Sequence, residues 1–88
     1  MLKVARSSQF KRDLKKIQKQ HKDLNKLKLL ITKIVNEEDL SIKYRNHKLI
    51  VNFKNCRECH VEPDWLLIYR YEKDQVVFER TGSHSDLF

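Results

Sequence analysis

The sequence predicts an α+β domain: an N-terminal strand and a two-helix antiparallel hairpin packed on an antiparallel sheet of about four strands. Two observations indicate this class. In the first half of the chain, apolar side chains recur every three or four positions, which is the period of a helix face. From Arg57 onward the period becomes two, which is the period of a strand. At 88 residues, the chain is predicted to be a single domain, 1–88.

A short strand, roughly Leu2 to Arg6, precedes the first predicted helix. Ser7 or Ser8 offers a hydroxyl that can cap this helix. Its apolar residues recur at i, i+4 and i+7, with Lys and Arg on the other face: Phe10, Leu14 and Ile17. The helix is therefore predicted to be amphipathic, with one face for the core.

A second helix is predicted after His21-Lys22, because Asp23 can cap it. Its apolar residues step by three, four and three positions, and two more widen the stripe: Leu24, Leu27, Ile31 and Ile34, with Leu30 and Val35. Two amphipathic helices joined by so short a turn form an antiparallel hairpin. Such a hairpin needs an apolar surface to pack on.

The second half of the chain is predicted to supply that surface. Leu40 to Lys48 is predicted to be a loop, and Leu49 to Phe53 is compatible with a short strand or an irregular extended segment. Three strands follow from Arg57. The turns that separate them are Pro63-Asp64 and Glu72-Lys73-Asp74. Gly82 ends the last strand and leads into a tail, Ser83 to Phe88.

The net charge of +7 is unevenly distributed. Residues 1–36 hold eleven Lys or Arg against two acids, a net charge of +9, whereas residues 37–88 have a net charge of −2. So basic a helical segment indicates a polyanion or an acidic protein as partner. A merely solubilising surface is an equal alternative.

No stretch of the sequence predicts export or membrane insertion. The N-terminus, Met1 to Arg6, lacks an apolar stretch of signal-peptide length. The longest apolar run, Trp65 to Tyr69, is too short to span a bilayer. The expected location is the cytoplasm, where Cys56 and Cys59 stay reduced.

The segment Cys56-Arg57-Glu58-Cys59-His60 matches the C-x-x-C-H pattern of c-type haem attachment. In a strand, however, cysteines three positions apart point to opposite faces and cannot grip one haem edge or one zinc ion. We therefore expect no metal and no other cofactor. The two cysteines are predicted to be buried or half-buried thiols.

The residues best suited to chemistry are His60, Asp64, Arg80 and His84. A histidine transfers protons near neutral pH and a guanidinium holds negative charge, so His84 near Arg80 suits phosphate chemistry. Taken alone, His60 also fits a structural role and Asp64 a turn former, while His47 fits either. These residues are equally compatible with a nuclease and with a nucleic-acid-binding domain without chemistry.

Five segments that span nearly the whole chain carry a family resemblance: His21-Lys22-Asp23-Leu24-Asn25-Lys26-Leu27-Lys28, His47-x-Leu49, Arg57 to Tyr69, Glu79-Arg80-Thr81-Gly82-Ser83-His84 and Leu87-Phe88. They resemble the RelE superfamily of bacterial type II toxins, and most closely its YafQ branch. One departure is Val51, where relatives commonly carry a Gly that allows positive φ or close approach of RNA. This departure bears on His47 and not on the other four residues.

The resemblance implies an mRNA endoribonuclease that acts in the ribosomal A site, without metal, by attack of the 2′-hydroxyl on the adjacent phosphate. It implies that His84 is the main acid/base residue and that His60 and Asp64 assist proton transfer and orient the hydroxyl. Arg80 would stabilise the negative charge of the transition state. The implied substrate-binding residues are His47, which would line the site, Phe88, which would hold the tail or meet a base, and, with core packing as an alternative, Trp65.

The resemblance also implies partners. These are a cognate antitoxin of the RelB or DinJ type with a DNA-binding N-terminal part, operator DNA through the toxin–antitoxin complex, the 70S ribosome and mRNA. In the basic first helix, Lys15, Lys16 and Lys19 are the expected contacts with ribosomal RNA. Two alternatives remain: an inactive homologue that keeps the fold and the antitoxin, and a small basic nucleic-acid-binding protein. The presence of all four candidate catalytic residues argues against both.

Overall fold

The computed structural model describes residues 2–48 and 55–88, and it confirms an α+β fold over these residues. In chain order the elements are β1 Lys3–Arg6, α1 Ser8–Lys19, α2 Leu24–Val35, a 3-10 turn Ile42–Tyr44, β2 His47–Lys48, β3 Arg57–Glu62, β4 Trp65–Glu72, β5 Gln75–Gly82 and α3 His84–Leu87. The open prediction for Leu49 to Phe53 lies outside the described residues. Within the described ranges, no helix has the length and apolar character needed to cross a membrane.

Both predicted helix caps are confirmed. The Ser7 hydroxyl accepts a hydrogen bond of 2.9 Å from the backbone N–H of Phe10, and Asp23 Oδ1 accepts one of 3.0 Å from the backbone N–H of Asn25. These bonds satisfy backbone donors that a helix start leaves without intrahelical partners. The Ser7 hydroxyl also donates to the carbonyl of Glu79 at 2.7 Å. The start of α1 is thereby bound to β5.

The turn between α1 and α2 is short because His21 adopts a left-handed conformation, with φ 58°. The two helices bury their apolar residues against one face of the sheet: Phe10, Ile17, Leu27, Leu30, Ile34 and Val35. From the sheet, this main core receives the side chains Cys59, Trp65, Leu67, Tyr69, Val76 and Phe78. The hairpin therefore covers one face of the sheet, as its amphipathic pattern predicts.

The sheet has the strand order β1-β5-β4-β3-β2. The strands β3 to β5 pair antiparallel, as predicted. The prediction of a loop from Leu40 to Lys48 is wrong at its end, because His47 and Lys48 form β2 by pairing antiparallel with Glu58 and Arg57 of β3. The N-terminal strand β1 adds a fifth, and it runs parallel to β5, with Lys3 opposite Gln75 and Arg6 opposite Phe78. The parallel pairing places the start of α1 at the end of β1, beside β5.

The opposite face of the sheet carries a smaller apolar cluster of Cys56, Leu66, Ile68 and Leu87. Because side chains alternate along a strand, Leu66 and Ile68 face this cluster while their neighbours face the main core. The two cysteines follow the same rule, since Cys56 lies in this cluster and Cys59 in the main core. The prediction that they point to opposite faces is confirmed.

The predicted tail after Gly82 forms the short helix α3. Ser83 and Asp86 make a capping box: the Ser83 hydroxyl accepts from the Asp86 N–H, and Asp86 Oδ2 accepts from the Ser83 N–H, both at 3.2 Å. Gly82 has φ 155°, and a Cβ there would lie 3.2 Å from the Cβ of Asp86. Glycine thus permits the sharp entry into α3, and Leu87 fixes the helix to the sheet.

Candidate active site

A pair of hydrogen bonds joins the β3–β4 turn to the first residue of α3. Asp64 Oδ1 lies 2.8 Å from the ring Nδ1 of His84 and 3.0 Å from its backbone nitrogen. These backbone and side-chain hydrogen bonds lower the pKa of Asp64 below its ordinary value. An ionised carboxylate can only accept, so Nδ1 of His84 carries the proton and Nε2 is left to exchange one.

A second histidine ring lies close to this pair. The ring centroids of His60 and His84 are 5.9 Å apart. His60 Nδ1 lies 3.1 Å from the carbonyl oxygen of Pro63, which can only accept, so this nitrogen is the donor. The other nitrogen, Nε2, lies 3.4 Å from Glu58 Oε1. The side chain of His60 is buried, whereas that of His84 is 55% exposed.

Glu58 is a site residue that the sequence analysis did not identify. Its buried carboxylate lies between two imidazoles, 3.6 Å from His47 Nε2 and 3.4 Å from His60 Nε2. The backbone carbonyl of Arg45 lies 2.8 Å from His47 Nδ1, which orients that ring toward Glu58. The period of two in β3 puts Glu58 on the side of His60, so alternation is the signal that could have found it.

Phe88 lies next to His84. Its ring centroid is 6.4 Å from that of His84, and its backbone N–H donates to the His84 carbonyl at 2.9 Å. Phe88 is about half exposed. The ring of His84 therefore lies between those of His60 and Phe88.

Arg80 is held from the other direction, by helix α1. Its Nε and Nη2 lie 2.8 and 3.2 Å from the two carboxylate oxygens of Asp13, and the Thr81 backbone N–H donates to the same carboxylate at 3.1 Å. Asp13 is only 6% exposed. Within the described residues, no hydrogen bond links Arg80 to His60, Asp64 or His84. The sequence analysis did not predict Asp13 as a contact of Arg80, because a lone acid in a basic helix suggests solvent.

The structure corrects the assignment of Trp65 to substrate binding. Trp65 has 0% exposure in the main core, and its indole N–H donates to the Thr81 hydroxyl at 2.9 Å. It has no surface with which to meet a substrate. The alternative of core packing, given by its strand position, is the correct one.

The predicted RNA-contacting lysines of α1 divide into two kinds. Lys16 Nζ lies 2.6 Å from Asp86 Oδ1, and this bond is the main reason why the pKa of Asp86 falls to about 2. Lys16 thus joins α1 to α3. Lys15 and Lys19 are exposed, and neither makes an ion pair within the described residues.

The two cysteines are buried free thiols. Burial raises the pKa of the Cys59 thiol to about 12, so it is protonated at neutral pH. Across residues 2–48 and 55–88, no group of three His, Cys, Asp or Glu side chains is arranged to hold a metal ion.

Comparison with known proteins gives a consistent result. Residues 2–88 match the family described as "Bacterial toxin of type II toxin-antitoxin system, YafQ". The chain is 48% identical over 83 residues to the mRNA interferase toxin YafQ of Escherichia coli strain B / BL21-DE3, covering 93% of this chain and 90% of the relative. The toxin in the crystal structure of the E. coli DinJ-YafQ complex superposes with a TM-score of 0.92 at 45% identity, covering 100% of this chain and 99% of that one. A metal-bound toxin from Helicobacter pylori superposes with a TM-score of 0.94 at 39% identity, covering both chains fully.

Proposed function

The chain belongs to the YafQ family of bacterial type II toxin–antitoxin toxins, and on that basis we propose that it is an mRNA endoribonuclease. It cleaves mRNA in the A site of the 70S ribosome and so inhibits translation. The identity of 48% to a named mRNA interferase supports the activity. The observation that carries the chemistry is the exposed His84–Asp64 pair with His60 beside it.

Cleavage of RNA without an external nucleophile needs two proton transfers. The 2′-oxygen forms a bond to the adjacent phosphorus while its proton passes to a base, and the bond from phosphorus to the 5′-oxygen breaks while an acid protonates that oxygen. The products are a 2′,3′-cyclic phosphate and a 5′-hydroxyl. Rings 5.9 Å apart, as in His60 and His84, are close enough to serve one phosphate.

His84 is the main acid/base residue in this proposal, because its Nε2 faces away from Asp64. The carboxylate of Asp64 fixes the tautomer and orientation of the ring and stabilises the imidazolium form, a role known for carboxylates bonded to catalytic histidines. Glu58 orients the rings of His60 and His47 from the opposite side. Phe88 limits the space beside His84 and can meet a base.

Arg80 stabilises the negative charge that develops on the phosphate oxygens. Asp13 occupies Nε and Nη2, and within the described residues Nη1 makes no hydrogen bond, so this group remains for a phosphate. The carboxylate also fixes the long side chain in one orientation, which reduces the conformational entropy lost when the phosphate binds.

The proposed partners follow from the family. The E. coli relative forms a complex with DinJ, and we propose that a DinJ- or RelB-like antitoxin binds this chain, inhibits it and connects it to operator DNA. The proposed location is the cytoplasm, where the ribosome and mRNA are found.

Controlled expression tests the function in cells. Induction of the chain from a tightly repressed promoter is expected to stop growth and to produce cuts within the reading frames of translated mRNAs. Co-expression of the antitoxin encoded beside it is expected to restore growth. Normal growth with intact mRNA, in cells that contain the folded protein, would instead indicate an inactive homologue or a nucleic-acid-binding protein without chemistry.

A further inference from the structure

An open groove of about 980 Å³ lies beside the candidate active site. Its walls come from the α1–α2 turn, the first half of α2, the 3-10 turn and α3, and residues 60–64 line it along β3. As far as the described residues go, β2 pairs only with Arg57 and Glu58 of β3, so the outer edge of β3 is open beyond Glu58. The groove follows this open edge.

The groove is continuous with the candidate active site, because His60 and Asp64 line both. A strand of RNA whose phosphate lies between the two histidines must continue on at least one side. On the side of His60 and Asp64, the surface next to the candidate active site is the groove. The geometry thus offers a path for the neighbouring nucleotides.

Three cationic side chains of the groove form no ion pair in the part of the chain that the structure describes. Among residues 2–48 and 55–88, no carboxylate lies within ion-pair distance of Lys22, Lys43 or Arg45. The carboxylates that line the groove are each occupied by a different group: Glu62 by Lys26 at 2.7 Å, Asp86 by Lys16 at 2.6 Å and Asp64 by His84 at 2.8 Å. The lining therefore carries four cationic side chains against three carboxylates, a net charge of +1.

Aromatic rings, rather than acids, hold two of these cations. Lys22 Nζ lies 5.6 Å from the ring centroid of Trp65, and Lys43 Nζ lies 5.1 Å from that of Tyr44. The face of an aromatic ring attracts a cation without cancelling its charge. The ammonium groups are thus positioned in advance and remain able to attract an anion. Arg45 lies next along the chain, in a left-handed conformation with φ 49°.

We propose that this groove binds the ribose–phosphate backbone of the RNA strand that is being cut, with Lys22, Lys43 and Arg45 contacting phosphates that flank the cleaved bond. Contacts of this kind give affinity that is independent of base sequence and dependent on salt. The inference rests on the proposed function, since it assigns the path of the same substrate. It is distinct from the role predicted for Lys15 and Lys19, whose target is ribosomal RNA.

Binding of uncleavable RNA tests the groove without requiring catalysis. The groove variant combines Lys22→Gln, Lys43→Gln and Arg45→Asn, because Asn tolerates the left-handed conformation. The matched control, Lys3→Gln, Lys33→Gln and Lys73→Gln, removes the same charge outside the groove. Fluorescence anisotropy would follow a labelled trinucleotide and a labelled dodecanucleotide, both 2′-O-methylated, as the salt concentration rises. Thermal unfolding would confirm that both variants are folded.

The wild-type protein and the control are expected to bind the longer RNA more tightly than the trinucleotide. The groove variant is expected to lose that advantage. The slope of its log K against log salt should become shallower by about 2, since each single-strand phosphate contact contributes about 0.7 to the slope. An equal loss of affinity for the longer RNA in both variants would show that only the overall charge matters, and it would overturn the proposal. So would a wild-type protein that binds both RNAs equally.

On translating ribosomes, a photo-crosslinking amino acid in place of Lys43 shows whether mRNA or ribosomal RNA lies in the groove. The expected crosslink is to mRNA, and a crosslink to ribosomal RNA alone would overturn the assignment. A groove variant that loses affinity for the antitoxin but not for RNA would do the same. If the wild-type chain fails to cut mRNA while the binding results hold, the proposed endoribonuclease falls and the RNA-binding groove stands. If the wild-type chain cuts mRNA normally and the groove variant binds RNA as the wild type does, the proposed endoribonuclease stands and the RNA-binding groove is overturned.

Discussion

Asp64 holds His84 through a single oxygen: Oδ1 lies 2.8 Å from the ring Nδ1 and 3.0 Å from the backbone nitrogen of His84. One carboxylate at a hairpin turn thus fixes both the start of α3 and the tautomer of the ring that follows it. The contact joins residues that are twenty positions apart. It is the structural basis for the chemistry proposed for this chain.

Replacing His84 with Ala should abolish growth arrest while leaving the fold nearly as stable. The side chain is more than half exposed, and substitutions at such positions usually change the free energy of unfolding by no more than about 0.5 kcal/mol. Growth after induction and thermal unfolding would be measured together. Lys73→Ala, an exposed position in the turn between β4 and β5, is the control and should remain toxic. Undiminished toxicity of His84→Ala would remove His84 from the mechanism.

Asp13 is expected to act through Arg80. Asp13→Asn should lower kcat with little change in KM, because Arg80 acts on charge that develops only in the transition state. In a double-mutant cycle, adding Asp13→Asn to Arg80→Ala should cost little further activity. Asp13→Ala should in addition cost about 1–3 kcal/mol of stability, since the buried N–H of Thr81 loses its acceptor. A loss of stability with normal kcat would show that Asp13 serves the fold alone.

The stability contributed by Asp86 should depend on pH with a defined sign. Its folded pKa, about 2, lies below the ordinary value of 3.8, so its contribution is complete above 3.8 and is lost as the pH falls toward 2. Asp86→Asn should therefore destabilise the protein at neutral pH, by about 1 kcal/mol, the net contribution of a typical hydrogen bond. Urea unfolding across this pH range would measure the difference. A difference that persists at the acidic end would contradict the Lys16–Asp86 contact as its cause.

Charge reversal on α1 should weaken binding to the ribosome. The prediction from sequence concerns Lys15, Lys16 and Lys19, and the structure makes Lys15→Glu with Lys19→Glu the cleaner variant, because Lys16→Glu would set two carboxylates against each other. Ribosome affinity should fall and its salt dependence should flatten. Cleavage should survive once binding is saturated. An unchanged salt dependence would show that these lysines are merely solvated.

The purified protein is expected to hold no haem and no stoichiometric metal. Cys56 and Cys59 lie on opposite faces of the sheet, and burial keeps the Cys59 thiol protonated. Elemental analysis of the protein, purified without chelators, would measure metal per chain. One tightly held metal ion per chain would overturn the metal-free mechanism.

Local signals explain what the sequence predicted. Ser7 and Asp23 mark helix starts because their side chains accept hydrogen bonds from backbone N–H groups a few residues ahead. Pro63-Asp64 marks a turn, and the period of two places Cys56 and Cys59 on opposite faces. Such features depend only on neighbours in the chain, so a single sequence reveals them.

The features that the sequence did not predict depend on contacts between distant segments. The parallel pairing of β1 with β5 has no local signature, since either edge of the sheet would satisfy a short apolar strand. The bond from Asp13 to Arg80 joins residues 67 positions apart, and the position of Glu58 between two imidazoles requires the β2–β3 register. Trp65 was open to two interpretations because an unbroken apolar run, Trp65 to Tyr69, does not say which face of the strand meets solvent.

Cleavage of one mRNA with and without ribosomes tests the central claim most directly. In-line geometry for attack by the 2′-hydroxyl supplies much of the rate, and a codon held in the A site can provide that geometry. The purified protein should cut the translated mRNA within its reading frame, leaving a 2′,3′-cyclic or 3′-phosphate and a 5′-hydroxyl, and should leave ribosome-free mRNA almost intact. EDTA should make no difference while ribosomal magnesium is maintained. Equal cleavage of the naked mRNA would contradict ribosome dependence and indicate a free-standing ribonuclease.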